Sequence, residues 1–279
     1  MSLTLNLSQD SNLERNIKSM KTLLPIICLL ILSSCTNEVP SERLVERNGI
    51  VYEVNSTTPF TGTSVHNSEG YSLFLRHDYK DGLQDGLSES FYENGQILLR
   101  SYYRKGVEHG LTESFHENGQ MDTIENYIDG KRDGLYESYY ENGLLRFTGN
   151  YIDGKQDGLW EEYHTNGQLG YKGNYIDGKQ DGLWEDYHTN GQLGYKGNYK
   201  DGEEEGPNEK YYPNGQLESK ENYKDGKRED GLQEVYHYNG QLSHKGNYKN
   251  GKQNGLWEDF DEEGNLTRTQ EYKDGELIE

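Results

Sequence analysis

Along the stretch from Leu159 to Tyr175 the side chains alternate in character. Leu159, Glu161 and Tyr163 fall on one side of an extended run, and Leu169, Tyr171, Gly173 and Tyr175 fall on one side of the next. The two runs are separated by Asn166-Gly167 and preceded by Asp153-Gly154 and Asp157-Gly158. Asn-Gly and Asp-Gly tolerate the positive φ that tight turns demand, so each such block predicts two strands and two turns. The register of the hairpin then decides which residues share a face. A two-residue Asn-Gly turn sets Tyr163 against Gly170, whereas a three-residue Thr165-Asn166-Gly167 turn, with Gly167 forming a bulge, sets it against Leu169. Only the second gathers the apolar residues on one side. It predicts a buried face of tyrosines and leucines in which Gly173 makes room for neighbouring rings.

The pattern recurs along the chain. Tyr79, Tyr103, Tyr127, Tyr151, Tyr175, Tyr199, Tyr223 and Tyr248 open eight units, seven of 24 residues and one of 25, in which KREDG replaces KQDG. A partial unit around residues 60–70 precedes them, and a truncated one follows Tyr272. Residues 150–173 and 174–197 are the same 24 letters but for Glu162 and Asp186. This is a repeat architecture, with residues 60–279 as the array. The expected fold is all-β: an elongated single-layer antiparallel meander of two-stranded units, with equivalent residues of adjacent units about 9 to 10 Å apart.

Composition changes the picture in two ways. Only 31% of the 279 residues are hydrophobic, so a thick aliphatic core is not available, and the 24 tyrosines carry much of the apolar material. Low hydrophobicity with a net charge of −21 would predict disorder in an irregular chain, and the repeat overrides that reading. The acidic balance, with no basic stripe, speaks against nucleic acid and anionic lipid as electrostatic partners.

Residues 1–34 have the pattern of a signal region, with Met20 as the plausible start, Lys21, and an apolar run from Leu23 to Leu32 that is too short to span a bilayer. The string Leu32-Ser33-Ser34-Cys35 resembles the lipobox of bacterial lipoproteins, which implies cleavage before Cys35 and a lipid on its sulfur. The alternative is an ordinary secretory signal. Cysteine usage favours the lipid, because cleavage removes Cys28 and leaves Cys35 without a disulfide partner. Residues 35–59 are expected to be a tether leading into a cap. The expected location is a lipid-anchored one at a bacterial cell envelope.

The stretch GLWEEYHTNGQLGYKGNYIDG, recurring over residues 60–279, resembles the MORN repeat variant family, including the bacterial proteins called YwqK-type antitoxins. That resemblance implies successive antiparallel hairpins, binding or scaffolding in place of catalysis, and, from the antitoxin label, a toxin as partner.

Three recurring rows are candidate sites. Glu161 has a glutamate counterpart in every unit, but carboxylates one unit apart can neither chelate one ion nor flank a cleft, so each is expected to accept a hydrogen bond from a tyrosine hydroxyl or a backbone amide. His116, His164, His188 and His237 are likewise too far apart to share a zinc ion. The loops typified by Asp153 and Asp157 lack the order of an EF-hand. No metal, cofactor or catalytic group is therefore expected, and the protein is expected not to be an enzyme. Trp160, Trp184 and Trp257, with Tyr136 in the unit before Trp160, fall on the side away from the tyrosines. They are expected to form an exposed aromatic stripe, the candidate surface for a protein partner or, alternatively, for a glycan. A passive spacer is the third reading. Tyr151, Gly154, Gly158, Glu161, Tyr163, Gly167 and Tyr175 are expected to be structural.

Overall fold

A computed structural model describes residues 38–67 and 74–278. The signal region, and with it Cys35, lies outside the described residues. From Gly62–Asn67 to Leu266–Lys273 each long strand pairs antiparallel with the next in sequence, and the last does not return to the first, so the sheet is open. Among the described residues there is no α-helix. Ahead of the array, β1 (Glu38–Pro40) lies parallel to the first strand, and β2 (Leu44–Arg47) forms a separate hairpin with β3 (Ile50–Glu53). The amide of Val51 donates to Gly82 O at 2.9 Å, which docks this hairpin on the first Asp-Gly turn.

The turns form as their sequences dictate. Asp153 and Gly154, with φ of 52° and 84°, connect Ile152 to Lys155 as a two-residue turn. At the other end His164 donates its amide to Gln168 O and Gly167 donates to His164 O, both at 2.8 Å, with Gly167 at φ 81°. This is the three-residue turn that the Leu169 register requires, and Tyr163 does stand opposite Leu169.

One residue further the register shifts. Glu162 stands opposite Tyr171, not Gly170, so a second bulge inserts an extra residue into the returning strand. The same shift recurs in all eight hairpins. A one-residue slip transfers every later side chain to the other face. Trp160 therefore pairs with Gly173, on the face that carries Tyr171 and Tyr175, while Leu159 pairs with Asn174 and Glu161 with Lys172 on the opposite face. The expected tyrosine and leucine face is thus divided. The ring positions of the returning strand join tryptophan, and the leucines join glutamate and lysine.

A second irregularity covers the tryptophans. Between the pairs Thr148↔Glu161 and Tyr151↔Gln156, the four residues Asp157–Trp160 run against only Gly149 and Asn150. The surplus bows the chain, and Trp160 folds over Gly149 and donates Nε1–H to Asn150 O at 3.3 Å. The additional residue of the 25-residue unit is absorbed in this same bowed segment, since Lys220↔Glu234 retains the pairing of its counterparts.

Candidate functional site

The recurring polar residues are first of all ties between units. Asn166 accepts the amide of Gln168 at Oδ1 and donates from Nδ2 to Thr189 O of the next turn, and six further Asn-Gly turns make the same link to their successors. His116, His164, His188 and His237 each place Nε2 2.8 to 2.9 Å from a backbone carbonyl of the following unit. Tyr92, Tyr140 and Tyr212 donate their hydroxyls to the equivalent carbonyl from the equivalent position. Among the described residues no group of three or more His, Cys, Asp or Glu side chains is placed to hold a metal ion.

The tryptophans are not a surface stripe. Trp160, Trp184 and Trp257 are 3%, 6% and 7% exposed and, with Val39 and Phe60, make up the buried hydrophobic residues among those described. Trp160 stacks on Tyr136 at a centroid distance of 5.7 Å and meets Tyr151 and Tyr175 edge-on at 5.2 and 6.1 Å. Trp184 stacks on Tyr171 at 5.7 Å and meets Tyr175 and Tyr199 edge-on. Each such pair contributes about 0.5 to 1.5 kcal/mol beyond its burial, so these rings supply the core that the composition withholds. In the units that lack tryptophan the same position holds the half-buried Tyr136 or one of the buried residues Ser88, Thr112, Asn208 and Gln233. Their polarity made the position look solvated from sequence, and the register shift makes it internal.

Five glutamates of the row accept a tyrosine hydroxyl, one of the expected donors, whereas Glu89, Glu113 and Glu258 have phenylalanine two residues on and pair with Arg100 or Lys245. Glu161 accepts the Tyr163 hydroxyl at 2.9 Å, and Glu137, Glu185, Glu209 and Glu234 accept the hydroxyl two residues on in the same way. Lysines pair with three of the glutamates: Lys172 with Glu185 at 2.7 Å, Lys196 and Lys220 with Glu209 at 2.7 and 2.8 Å, and Lys245 with Glu258 at 2.8 Å. Hydrogen bonds from Lys196, Lys220 and Tyr211 hold the Glu209 carboxyl down to about 2, well below its ordinary 4.5. Burial, and then Glu137, push the Tyr139 hydroxyl up to about 12.

What the face pattern concealed is an exposed aliphatic band. Leu135, Leu159 and Leu183, one per unit, are about half exposed, as are Ile128, Ile152 and Ile176. Alternation and register place Leu159, Asn174 and Ile176 on one face, the face of the glutamates. A signal for this existed. The position of Ile152 is Lys80, Arg104, Lys200, Lys224, Lys249 and Lys273 in other units, so it is a solvated position that is apolar in three consecutive units only.

Hairpins of this length, with Gly and Asn at fixed turn positions and one aromatic row inside, are matched eight times by the family model described as the MORN repeat variant. The matches cover residues 84–105, 108–129, 132–153, 156–177, 180–201, 204–225, 229–250 and 253–274. The chain belongs to the MORN repeat variant family. MORN repeats are generally protein- or membrane-binding repeats. A comparison with curated proteins found no match. Among the described residues of this MORN chain no helix is long and apolar enough to cross a membrane.

Proposed function

We propose that this MORN array is a non-catalytic scaffold that binds another protein through the face bearing Ile128, Leu135, Ile152, Leu159, Ile176 and Leu183. The observation that carries this reading is that three consecutive units each pair an exposed leucine with an exposed isoleucine, whereas Leu232 and Leu256, equally exposed, lie in units with Lys224 and Lys249 at the isoleucine position. A contiguous exposed apolar patch on a soluble domain marks an interaction site far more often than an isolated leucine does. The Leu32-Ser33-Ser34-Cys35 string supports a lipid anchor at a bacterial envelope as part of the same proposal. The resemblance to YwqK-type antitoxins supports a toxin as the bound protein. Glycan stacking has less support, because it requires open aromatic faces and the three indoles have none.

A photo-crosslinking residue placed at Leu159 or Ile176 in living cells tests the proposal. Discrete crosslinks to one protein at these positions, and none from Thr165 in the turn, are the expected result. Crosslinks that are absent or equal at all three positions would overturn it. Deleting residues 151–174 separates the scaffold from a passive spacer, since a spacer tolerates the loss of one unit.

A further inference from the structure

The row beside the aliphatic band alternates glutamates with the residues between them. Every glutamate of the row is flanked in register by one residue of its own hairpin and one of the preceding hairpin. In order, the flanking residues are Arg76, Arg100, Ile124, Thr148, Lys172, Lys196, Lys220, Lys245 and Thr269. Arg100 reaches both Glu89 and Glu113, at 3.1 and 3.4 Å, and the lysines pair with Glu185, Glu209 and Glu258. The cation is replaced by an uncharged residue twice in succession, at Ile124 and Thr148. Glu137 is consequently the one glutamate of the eight with an uncharged neighbour on both sides. Among the described residues no ion pair reaches Glu137, Glu161 or Glu234, and each is held by a tyrosine hydroxyl, at 2.6, 2.9 and 2.8 Å; Glu234 has Lys220 and Lys245 beside it in register and Glu161 has Lys172, whereas Glu137 has no cation on either side.

The two interrupted rungs coincide with the aliphatic band. Ile128 and Leu135 belong to the unit of Glu137, and Ile152 and Leu159 to the unit of Glu161. Leu135 and Leu159 each lie two residues from the glutamate on the same strand and face, about 7 Å away. A half-buried carboxylate with one neutral donor leaves acceptor capacity unused, and a cation bringing donors to it in a site partly shielded from water makes the strongest class of hydrogen bond.

We propose that this part of the face seats an extended segment of a basic partner protein, with a lysine or arginine set above Thr148 between Glu137 and Glu161 and an aliphatic residue two positions away packed on Leu159 and Ile152. The partner's cation takes the place that Lys172, Lys196, Lys220 and Lys245 take in the later units. An apolar residue and a basic one at i and i+2 of an extended strand lie on one side about 7 Å apart, which matches the spacing of Leu159 and Glu161. A second copy of this chain is a poor occupant, because a protein of net charge −21 repels itself. The inference rests on the reading that this face binds protein, and it adds the partner's chemistry.

The test uses the full chain and a fluorescent peptide of three Thr-Leu-Thr-Lys repeats, with two control peptides in which glutamate replaces lysine or serine replaces leucine. Anisotropy titration is expected to show binding of the first peptide alone, weakened about tenfold or more by Thr148→Lys, by Glu137→Gln and by the pair Ile152→Ser with Leu159→Ser. Thr148→Lys installs the residue that four later units carry at this position, and an unchanged melting curve confirms its fold. If the serine pair weakens binding and neither Thr148→Lys nor Glu137→Gln does, the basic partner is overturned and the apolar docking face stands. If no variant weakens binding, both fall. Failure of the Thr-Leu-Thr-Lys peptide to bind, or equal binding of its glutamate twin, also overturns the proposal.

Discussion

The indole of Trp184 lies flat against the Cα of Gly173: a Cβ built on that glycine would stand 2.1 Å from Trp184 Cδ2. Gly149 and Gly246 stand in the same relation to Trp160 and Trp257. The glycine is thus the floor of each indole site, and the backbone conformation of Gly173 is not what demands it.

Gly173→Ala is therefore expected to destabilise by about 1 to 3 kcal/mol through overpacking. Trp184→Ala is expected to cost about 3 to 5 kcal/mol. Urea denaturation of the double variant should show a loss clearly smaller than the sum, because the alanine methyl then occupies part of the space that the indole vacates. Additive losses would mean that the ring and the glycine are not in contact in solution.

The burial of all three tryptophans sets their fluorescence. Emission of the folded protein is expected at short wavelength, with acrylamide quenching several-fold weaker than after unfolding in urea. Quenching as strong as that of the unfolded chain would restore the exposed stripe that the sequence suggests.

His164 and Tyr140 make the same tie from the same position, the one through Nε2 to Tyr187 O and the other through its hydroxyl to Tyr163 O, both at 2.8 Å. His164→Tyr is expected to be neutral within about 0.5 kcal/mol, whereas His164→Leu leaves a half-buried carbonyl unpaired and costs about 1 kcal/mol. Thermal melts of the two variants distinguish these outcomes.

Acid should loosen the row at Glu209 later than at an ordinary carboxylate. Its folded value, about 2, lies below the ordinary 4.5, so below pH 4.5 the unfolded chain takes up a proton that the folded chain refuses. The stability due to Glu209 is present in full above pH 4.5 and is lost as the pH falls toward 2. Glu209→Gln is expected to flatten stability against pH in that window, measured by urea midpoints at steps between the two values, and to leave the slope above it unchanged.

Cys35→Ser tests the lipid anchor proposed from the sequence. The protein is expected to move from the membrane fraction to the soluble one and to lose incorporation of a labelled fatty acid. An unchanged distribution between the fractions would remove the anchor.

The repeat, the unit length, both turns and the Tyr163↔Leu169 register were legible in the chain, because Asp153-Gly154 and Asn166-Gly167 are local signals whose φ requirements depend on nothing distant. That Glu161 accepts a hydrogen bond from a tyrosine hydroxyl or a backbone amide was expected from the chain, and the structure makes Tyr163, two residues on along the same strand, the donor. Which face is inside was not. That depends on one further residue slipped between Leu169 and Tyr171, and no residue type marks the slip, for the inserted position is Gly170 here and Leu98, Asp122 or Arg146 in other units. Only the sheet as a whole decides it. The slip places Tyr171, Gly173 and Tyr175 around Trp160 and Trp184, where large rings gain most from leaving water, and turns Leu159 and its counterparts outward. The sequence by itself determined a ladder of hairpins, and the packing of its rings determined which side of the ladder carries the buried aromatics and which the exposed leucines.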